Sequence, residues 1–264
     1  MKKLTVVGLA ALCIIPLASP WFFAATDEFP AWAYPVEPPP GPGPRPNQAP
    51  KDDGAMLHVP GSDVALTRAQ VEGKDTVADW HPEDHPPMPG IVKNGREGVR
   101  ACAFCHHPSG AGRPDNASLA GLTENYIKEQ IDNFKKGNRK GAAPDRAQHQ
   151  LMEKIAAALT DDEVAEAAKY FSSLKLPSFV KIVESDTAPK TIVVDGLLAK
   201  APDGGTEPIG HRIVEVPEDI EQVRNRDPRT PFVAYVPKGS LNKGKAFVTG
   251  GATPRITCHG PDLH

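Results

Sequence analysis

The most informative stretch of this chain is Cys102-Ala103-Phe104-Cys105-His106, which we call the haem motif. Its pattern, C-x-x-C-H, is the attachment signature of c-type haem. Two thiols three residues apart at a helix end can add to both vinyl groups of one porphyrin, and the adjacent histidine then faces the iron from the same side. We therefore predict a covalently bound haem c at this motif.

A C-x-x-C pair also occurs in thioredoxin-like redox sites, in zinc sites and as a structural disulfide. A redox pair is typical of a strand–helix context, and no such pattern surrounds Cys102 and Cys105. A zinc site needs a second pair of ligands, but only histidines scattered in loops are available. Haem attachment explains the motif better than these alternatives.

The residues on both sides of the motif have a helical pattern of apolar side chains. A short helix is predicted to open at Pro89-Gly90 and to run into Cys102. A second begins after the N-cap Thr123, and a third carries Met152. The fourth starts with the capping box Thr160-Asp161-Asp162-Glu163 and ends before Pro177. An all-α unit this small usually needs a metal, disulfides or a cofactor to hold its core.

The region from Gly90 to Leu176 resembles the class I cytochromes c, and most closely the periplasmic diheme cytochromes built from two such domains in tandem. The resemblance implies a small helical fold around a haem whose edge faces solvent, and a one-electron carrier. It also implies that Cys102 and Cys105 form the thioether bonds and that His106 is the proximal iron ligand. The distal ligand of the family is a methionine that precedes the last helix.

Met152 is the candidate for this distal ligand. Of the internal methionines, Met56 and Met88 lie upstream of the haem motif, and Met152 lies eight residues before Thr160. His149, one turn away, is the competing ligand, and an open sixth position or a core role for Met152 are further alternatives. Ligation by methionine and histidine raises the reduction potential, two histidines lower it, and an open position admits external ligands.

The loop after the motif departs from the family pattern. The family tends to have a proline two residues before a Leu-Ala-Gly, and the proline carbonyl accepts the Nδ1–H of the proximal histidine. Here Leu119-Ala120-Gly121 follows Ala117-Ser118, so the Ala117 carbonyl is expected to accept this bond, with Pro114 as the alternative. His107, next to the proximal ligand, is expected to face solvent.

The N-terminal 60 residues are predicted to lie outside the folded core. Residues 1–25 read as an export signal, with Lys2 and Lys3 before an apolar stretch and cleavage after Ala25; an uncleaved membrane anchor is the alternative. Residues 26–60 form a proline-rich tether of polyproline character. An exported chain places haem attachment, and the protein, in the periplasm.

The fold class is therefore mainly α over residues 61–178, a class I cytochrome c fold around a covalent haem. A β-rich connector is predicted at 179–239, from the strand patterns 191–194, 212–216 and 231–236. Residues 240–264 read as the truncated start of a second cytochrome module.

The second module is incomplete because its haem motif is broken. Thr257-Cys258-His259-Gly260 ends like a haem motif, but Arg255 stands where the first cysteine belongs. Only five residues follow His259, too few to build a second haem domain or to supply a distal ligand. We read Cys258 and His259 as a degenerate second haem site, with a genuine mono-haem protein and a degenerate tail as the alternative. One haem is expected, and a second only if the full-length protein is longer.

Composition excludes two classes of partner. A net charge of −3 argues against nucleic acid, and no apolar run beyond the N-terminus is long enough to span a bilayer, so a membrane is involved only if the signal stays uncleaved. A run of basic residues on the second helix and just after it is either a docking site for a redox partner or a solvated helix face. It comprises Lys128, Lys135, Lys136, Arg139 and Lys140.

We expect an electron-transfer protein with a six-coordinate haem, acting with redox partner proteins and not as an enzyme. One alternative is a haem peroxidase or ligand sensor, which requires an open sixth site and distal acid–base groups. Another is the cytochrome subunit of a dehydrogenase complex, kept near its partner by the tether.

Overall fold

The computed structural model describes residues 52–73, 77–141 and 147–249. The predicted signal, most of the tether, and Cys258 and His259 lie outside these residues. No helix within the described ranges is both long and apolar enough to cross a membrane.

Helices dominate the first half of the described chain. A two-stranded antiparallel ribbon, β1 (Met56–Leu57) and β2 (Leu66–Thr67), leads into helix α1 (Arg68–Glu72) and a 3-10 turn at Pro82–Asp84. Five helices then build the cytochrome unit: α2 (Gly90–Lys93), α3 (Cys102–His106), α4 (Glu124–Lys135), α5 (Ala147–Ala158) and α6 (Asp161–Ser173).

Local capping explains where two of these helices begin. The Thr123 side chain accepts the Tyr126 N–H at the start of α4. At α6 the predicted capping box forms, because the Thr160 hydroxyl accepts the Glu163 N–H and Glu163 accepts the Thr160 N–H in return. Glu163 also accepts two hydrogen bonds from Arg96, which lower the pKa of Glu163 to about 2.

The helix before the haem motif is shorter than predicted. Instead of running into Cys102, α2 ends at Lys93 and the chain makes a tight turn in which Arg96 and Val99 pair. Gly95 has a φ of +62°, and a Cβ there would lie 2.3 Å from the Val99 carbonyl oxygen. A left-handed glycine ends the helix at this point, and a second, separate helix carries the motif.

The core of the cytochrome unit forms where α2, α3, α4 and α6 meet. Its buried side chains come from all four helices and from the loops between them. They include Val92, Val99, Ile127, Ala168 and Phe171. Partly buried apolar side chains, among them Met88, Leu119 and Ile155, pack against this core.

Residues 179–239, which we call the β-rich region, contain seven strands and one helix within the described chain. The central sheet has the order β3-β9-β8, with β3 and β9 parallel and β8 and β9 antiparallel. Two antiparallel pairs, β4 with β7 and β5 with β6, accompany it. The bounds are β3 (Val180–Glu184), β4 (Thr187–Pro189), β5 (Thr191–Val194), β6 (Leu197–Lys200), β7 (Thr206–Pro208), β8 (Val214–Pro217), α7 (Ile220–Arg224) and β9 (Phe232–Val236). Helix α8 (Ser240–Thr249) follows.

The β-rich region packs directly against the segment before the haem motif. The indole N–H of Trp80 donates to the Asn225 carbonyl at 2.6 Å, and His81 Nε2 lies 3.2 Å from Asp227 Oδ1. Arg229 bridges to Asp84 at 2.6 Å. Because Trp80, His81 and Asp227 are at most 2% exposed, their contacts form a buried seam between residues 80–84 and 225–229, and the Arg229–Asp84 ion pair lies at its exposed edge.

We predict that Asp227→Ala destabilises the protein through this seam. The carboxylate of Asp227 accepts from both His81 Nε2 and the Arg229 backbone N–H, and removing it leaves both donors without that acceptor in a buried place. The expected loss is about 2 kcal/mol in the free energy of unfolding, measured by urea denaturation of the holoprotein. Asp203→Ala, at an exposed position of the same region, is the control, and equal midpoints for the two variants would show that the seam carries no stability.

Candidate haem site

The haem motif lies on α3, a helix of five residues that brings both cysteines and the histidine to one turn. Cys102 and Cys105 are free thiols and are both partly buried. Burial raises the pKa of Cys102 to about 12 and also raises the pKa of Cys105. The protein surroundings therefore hold both groups as neutral thiols at physiological pH.

The orientation of His106 is set by the loop after the motif. Its Nδ1 donates to the Ala117 carbonyl oxygen at 2.8 Å, which confirms Ala117 over Pro114 as the acceptor. The Phe171 ring and the imidazole pack in a T-shaped arrangement, with 6.2 Å between the ring centroids. Burial lowers the pKa of His106, so the ring is neutral and its Nε2 keeps the lone pair that a metal requires.

These features fit a haem of the c type. The motif offers two free thiols for thioether bonds and an imidazole whose Nδ1 is hydrogen-bonded and whose Nε2 can bind iron. A hydrogen bond on the far nitrogen of a ligating histidine fixes its tautomer and orientation. Cys102 packs against an apolar cluster that also includes Leu119, Leu122 and Ile155, as a porphyrin site requires.

His107 is buried, and the expectation that it faces solvent is wrong. Its side chain is 3% exposed, and neither ring nitrogen has a hydrogen-bond partner within the part of the chain that the structure describes. A φ of +62° turns the chain back at the end of α3. The ring therefore points toward the β-rich region and lines a cavity of about 10 Å³ with Asp227 and Thr230.

The two candidates for the distal ligand, His149 and Met152, both lie on α5. The Nε2 atom of His149 accepts the Gly141 N–H at 2.7 Å and is 3.1 Å from a Glu153 carboxylate oxygen. The His149 ring also packs on Phe134. Met152 is partly buried, and Met88, upstream of the motif, packs against the apolar core. His149 is thus engaged in contacts within its own neighbourhood.

The basic run, which lies on α4 and on the residues just after it, is largely paired. Lys128 contacts Glu124, Lys135 contacts Asp161, and Lys136 contacts Asp132, at 2.6 to 3.3 Å. Arg139 stacks over the Phe134 ring. A surface whose cations are matched by neighbouring carboxylates has little net charge to attract a partner.

Two contacts at the site were not predicted from the sequence. The Tyr170 hydroxyl donates to the Pro108 carbonyl at 2.6 Å and so ties α6 to the loop after the motif. Arg226, 120 residues beyond the motif, places its guanidinium 3.8 Å from the centre of the Phe104 ring. Neither contact could be found from spacing, because both join distant parts of the chain.

The chain is similar to known cytochromes over the region that holds the site. The family model described as Cytochrome c matches residues 92–175. Cytochrome c-554(548) of Halomonas halodenitrificans is 31% identical over 85 residues, which are 32% of this chain and 96% of that protein. The thiosulfate dehydrogenase electron acceptor of Stutzerimonas stutzeri is 32% identical over 90 residues, and cytochrome c4 of Azotobacter vinelandii is 31% identical over 80.

These similarities cover one part of each larger relative. The match is 33% of this chain and 38% of the electron acceptor, and 30% of this chain and 36% of cytochrome c4. The solved structure of cytochrome c4 from Pseudomonas stutzeri is 26% identical, with a TM-score of 0.29, and the match covers 33% of this chain and 45% of that one. Since nearly the whole of cytochrome c-554(548) is matched, the resemblance to cytochromes c is confirmed: the chain belongs to the cytochrome c family, and its cofactor is haem c.

Proposed function

We propose that this protein is a periplasmic one-electron carrier whose haem iron is held by His106 and Met152. The observation that carries the proposal is the 2.8 Å hydrogen bond from His106 Nδ1 to the Ala117 carbonyl within a C-x-x-C-H motif. This bond leaves Nε2 as the ligand and holds the imidazole in one orientation. When bound, haem c supplies an iron that takes up and releases one electron.

Two observations support Met152 as the distal ligand: its position before α6, and the contacts that already engage the competing ligand, His149. It precedes α6 by the spacing that the family resemblance implies, while the Nε2 of His149 is engaged with Gly141 and Glu153. A thioether ligand favours the reduced iron and gives the higher potential. The protein's own contribution is to supply these ligands and to hold the His106 imidazole in one orientation.

The periplasmic location is supported by the export signal proposed at residues 1–25. Haem attachment to a C-x-x-C-H motif takes place outside the cytoplasm, where an exported chain meets the haem. The proline-rich stretch at 26–60 would then keep the cytochrome unit at a distance from the N-terminus.

A second candidate function is that of an electron acceptor for a dehydrogenase. The relative from Stutzerimonas stutzeri is named as a thiosulfate dehydrogenase electron acceptor and is 32% identical over 90 residues. In this second function the chain is not an enzyme itself. It accepts electrons from a dehydrogenase partner and passes them to another redox protein.

The proposal is tested by spectroscopy of the purified holoprotein. We expect a near-infrared methionine–iron band in the oxidised state, full reversible reduction by one electron per chain, and no binding of carbon monoxide or cyanide. Rapid binding of either ligand to the unmodified protein, together with peroxide turnover, would instead identify a ligand sensor or peroxidase with an open sixth site.

A further inference from the structure

Phe104, which stands between the two cysteines of the haem motif, is contacted by two guanidinium groups. Arg226 stacks 3.8 Å from the ring centre and Arg100 4.3 Å from it. Arg226 Nη1 also donates to the Phe104 carbonyl oxygen at 2.9 Å. Phe104 is only 6% exposed, so Arg226 holds both the side chain and the backbone of a residue inside the motif.

Arg226 adopts a backbone conformation that is unfavourable for a residue with a side chain. Helix α7 ends in a Schellman motif, in which the Asp227 N–H bonds to the Gln222 carbonyl and the Arg226 N–H to the Val223 carbonyl. The residue in the left-handed position of this motif is usually glycine, but here it is Arg226, with a φ of +57°. A non-glycine residue in this conformation is strained, and such residues cluster at functional sites.

The Arg226 guanidinium places a positive charge beside the haem motif. Burial lowers the pKa of Arg226 to about 10, which still leaves the guanidinium positive at neutral pH. The guanidinium groups of Arg226 and Arg100 both lie on the ring of Phe104, the residue directly before Cys105, and Arg113 pairs with Asp115 in the loop after the motif. Asp115 is engaged by Arg113 through two hydrogen bonds, so the cations outnumber the carboxylate at the place where the porphyrin is attached. The nearby Asp227 carboxylate accepts from His81 instead.

We propose that Arg226, supplied by the β-rich region, raises the reduction potential of the haem attached at Cys102 and Cys105. Ferric haem carries one positive charge more than ferrous haem, and uptake of one electron from a redox partner removes it. A fixed cation beside the attachment site therefore disfavours the oxidised state. The β-rich region is then part of the redox centre and not only a connector. This inference rests on the proposed one-electron function.

The test compares Arg226→Gly with Arg226→Lys in the holoprotein. Glycine removes the charge and also relieves the left-handed strain, so we expect the variant to fold. At a fixed applied potential its ratio of reduced to oxidised haem should fall about three- to tenfold. For a one-electron couple this fall corresponds to a reduction potential lower by ~28–59 mV. Lysine keeps the charge and should stay within about twofold of the unmodified protein. Arg212→Gln, which removes an arginine paired with Glu207 in the same region, should leave the ratio unchanged.

Two results would overturn the proposal. An unchanged ratio in Arg226→Gly shows that the charge does not act on the haem, and equal shifts in the glycine and lysine variants show that the stacking contact matters instead of the charge. If the glycine variant yields no holoprotein, Arg226→Asn is measured in its place, because asparagine also tolerates the left-handed conformation. The methionine–iron band is recorded for every protein. Its absence from the unmodified protein would reject the proposed ligand pair, while the shift caused by Arg226 would still be read from the potential.

Discussion

Replacing Cys102 and Cys105 together with alanine is expected to give a chain without covalent haem and with most of its helical signal lost. The cytochrome unit packs five short helices around one apolar cluster, and Cys102 itself packs against that cluster. A core of this size seldom folds without a cofactor or a metal to complete it. The measurements are intact mass, for the haem, and far-ultraviolet circular dichroism, for the helices.

The single variants Cys102→Ala and Cys105→Ala are the matched controls for the double replacement. Each keeps one thiol and the proximal His106, so each should retain haem through one thioether bond and keep its helical signal. A double variant that stays helical without haem would contradict the predicted loss of helical structure. An intact mass with two haems on the unmodified 264-residue chain would contradict the expected single attachment site.

The second large effect is expected at Met152. Met152→His should keep the haem attached and lower the potential by on the order of 0.2 V, a part of the roughly 0.8 V range that axial ligands control. Met152→Ala should remove the methionine–iron band and open the iron to cyanide and carbon monoxide. A redox titration and ligand-binding spectra of the two variants measure these effects.

Met88→Ala is the control for the Met152 variants. Met88 is also partly buried, but it lies upstream of the haem motif and packs against the apolar core. Met88→Ala should lower the free energy of unfolding and leave the methionine–iron band and the reduction potential unchanged. Loss of the band in Met88→Ala, with Met152→Ala unaffected, would reverse the ligand assignment. Absence of the band from the unmodified protein, together with binding of cyanide and carbon monoxide by His149→Ala and not by Met152→Ala, would identify His149 as the distal ligand.

Much of the cytochrome unit could be predicted from the sequence because its signals are local. A C-x-x-C-H motif places three reactive groups on one turn of helix, whatever lies around it. The capping box at Thr160 and the N-cap at Thr123 are hydrogen bonds between residues three apart, and both form as predicted. The Ala117 carbonyl could be named in advance because it lies in the loop that directly follows the motif.

The break before α3 shows where local signals compete. Apolar residues from Ile91 to Val99 favour a continuous helix, but Gly95 adopts a left-handed conformation that a helix cannot contain. Periodicity describes which face is buried, and it does not reveal that a turn between Arg96 and Val99 buries the same residues.

The sequence alone thus predicted the cofactor, the family and the starts of α4 and α6, because each depends on neighbours in the chain. Tertiary packing decided the burial of His107, the seam between His81 and Asp227, and the position of Arg226 on Phe104. The two latter contacts join residues more than a hundred positions apart. No periodicity or motif spans such a distance, and the partners meet only because the β-rich region folds back onto the haem motif.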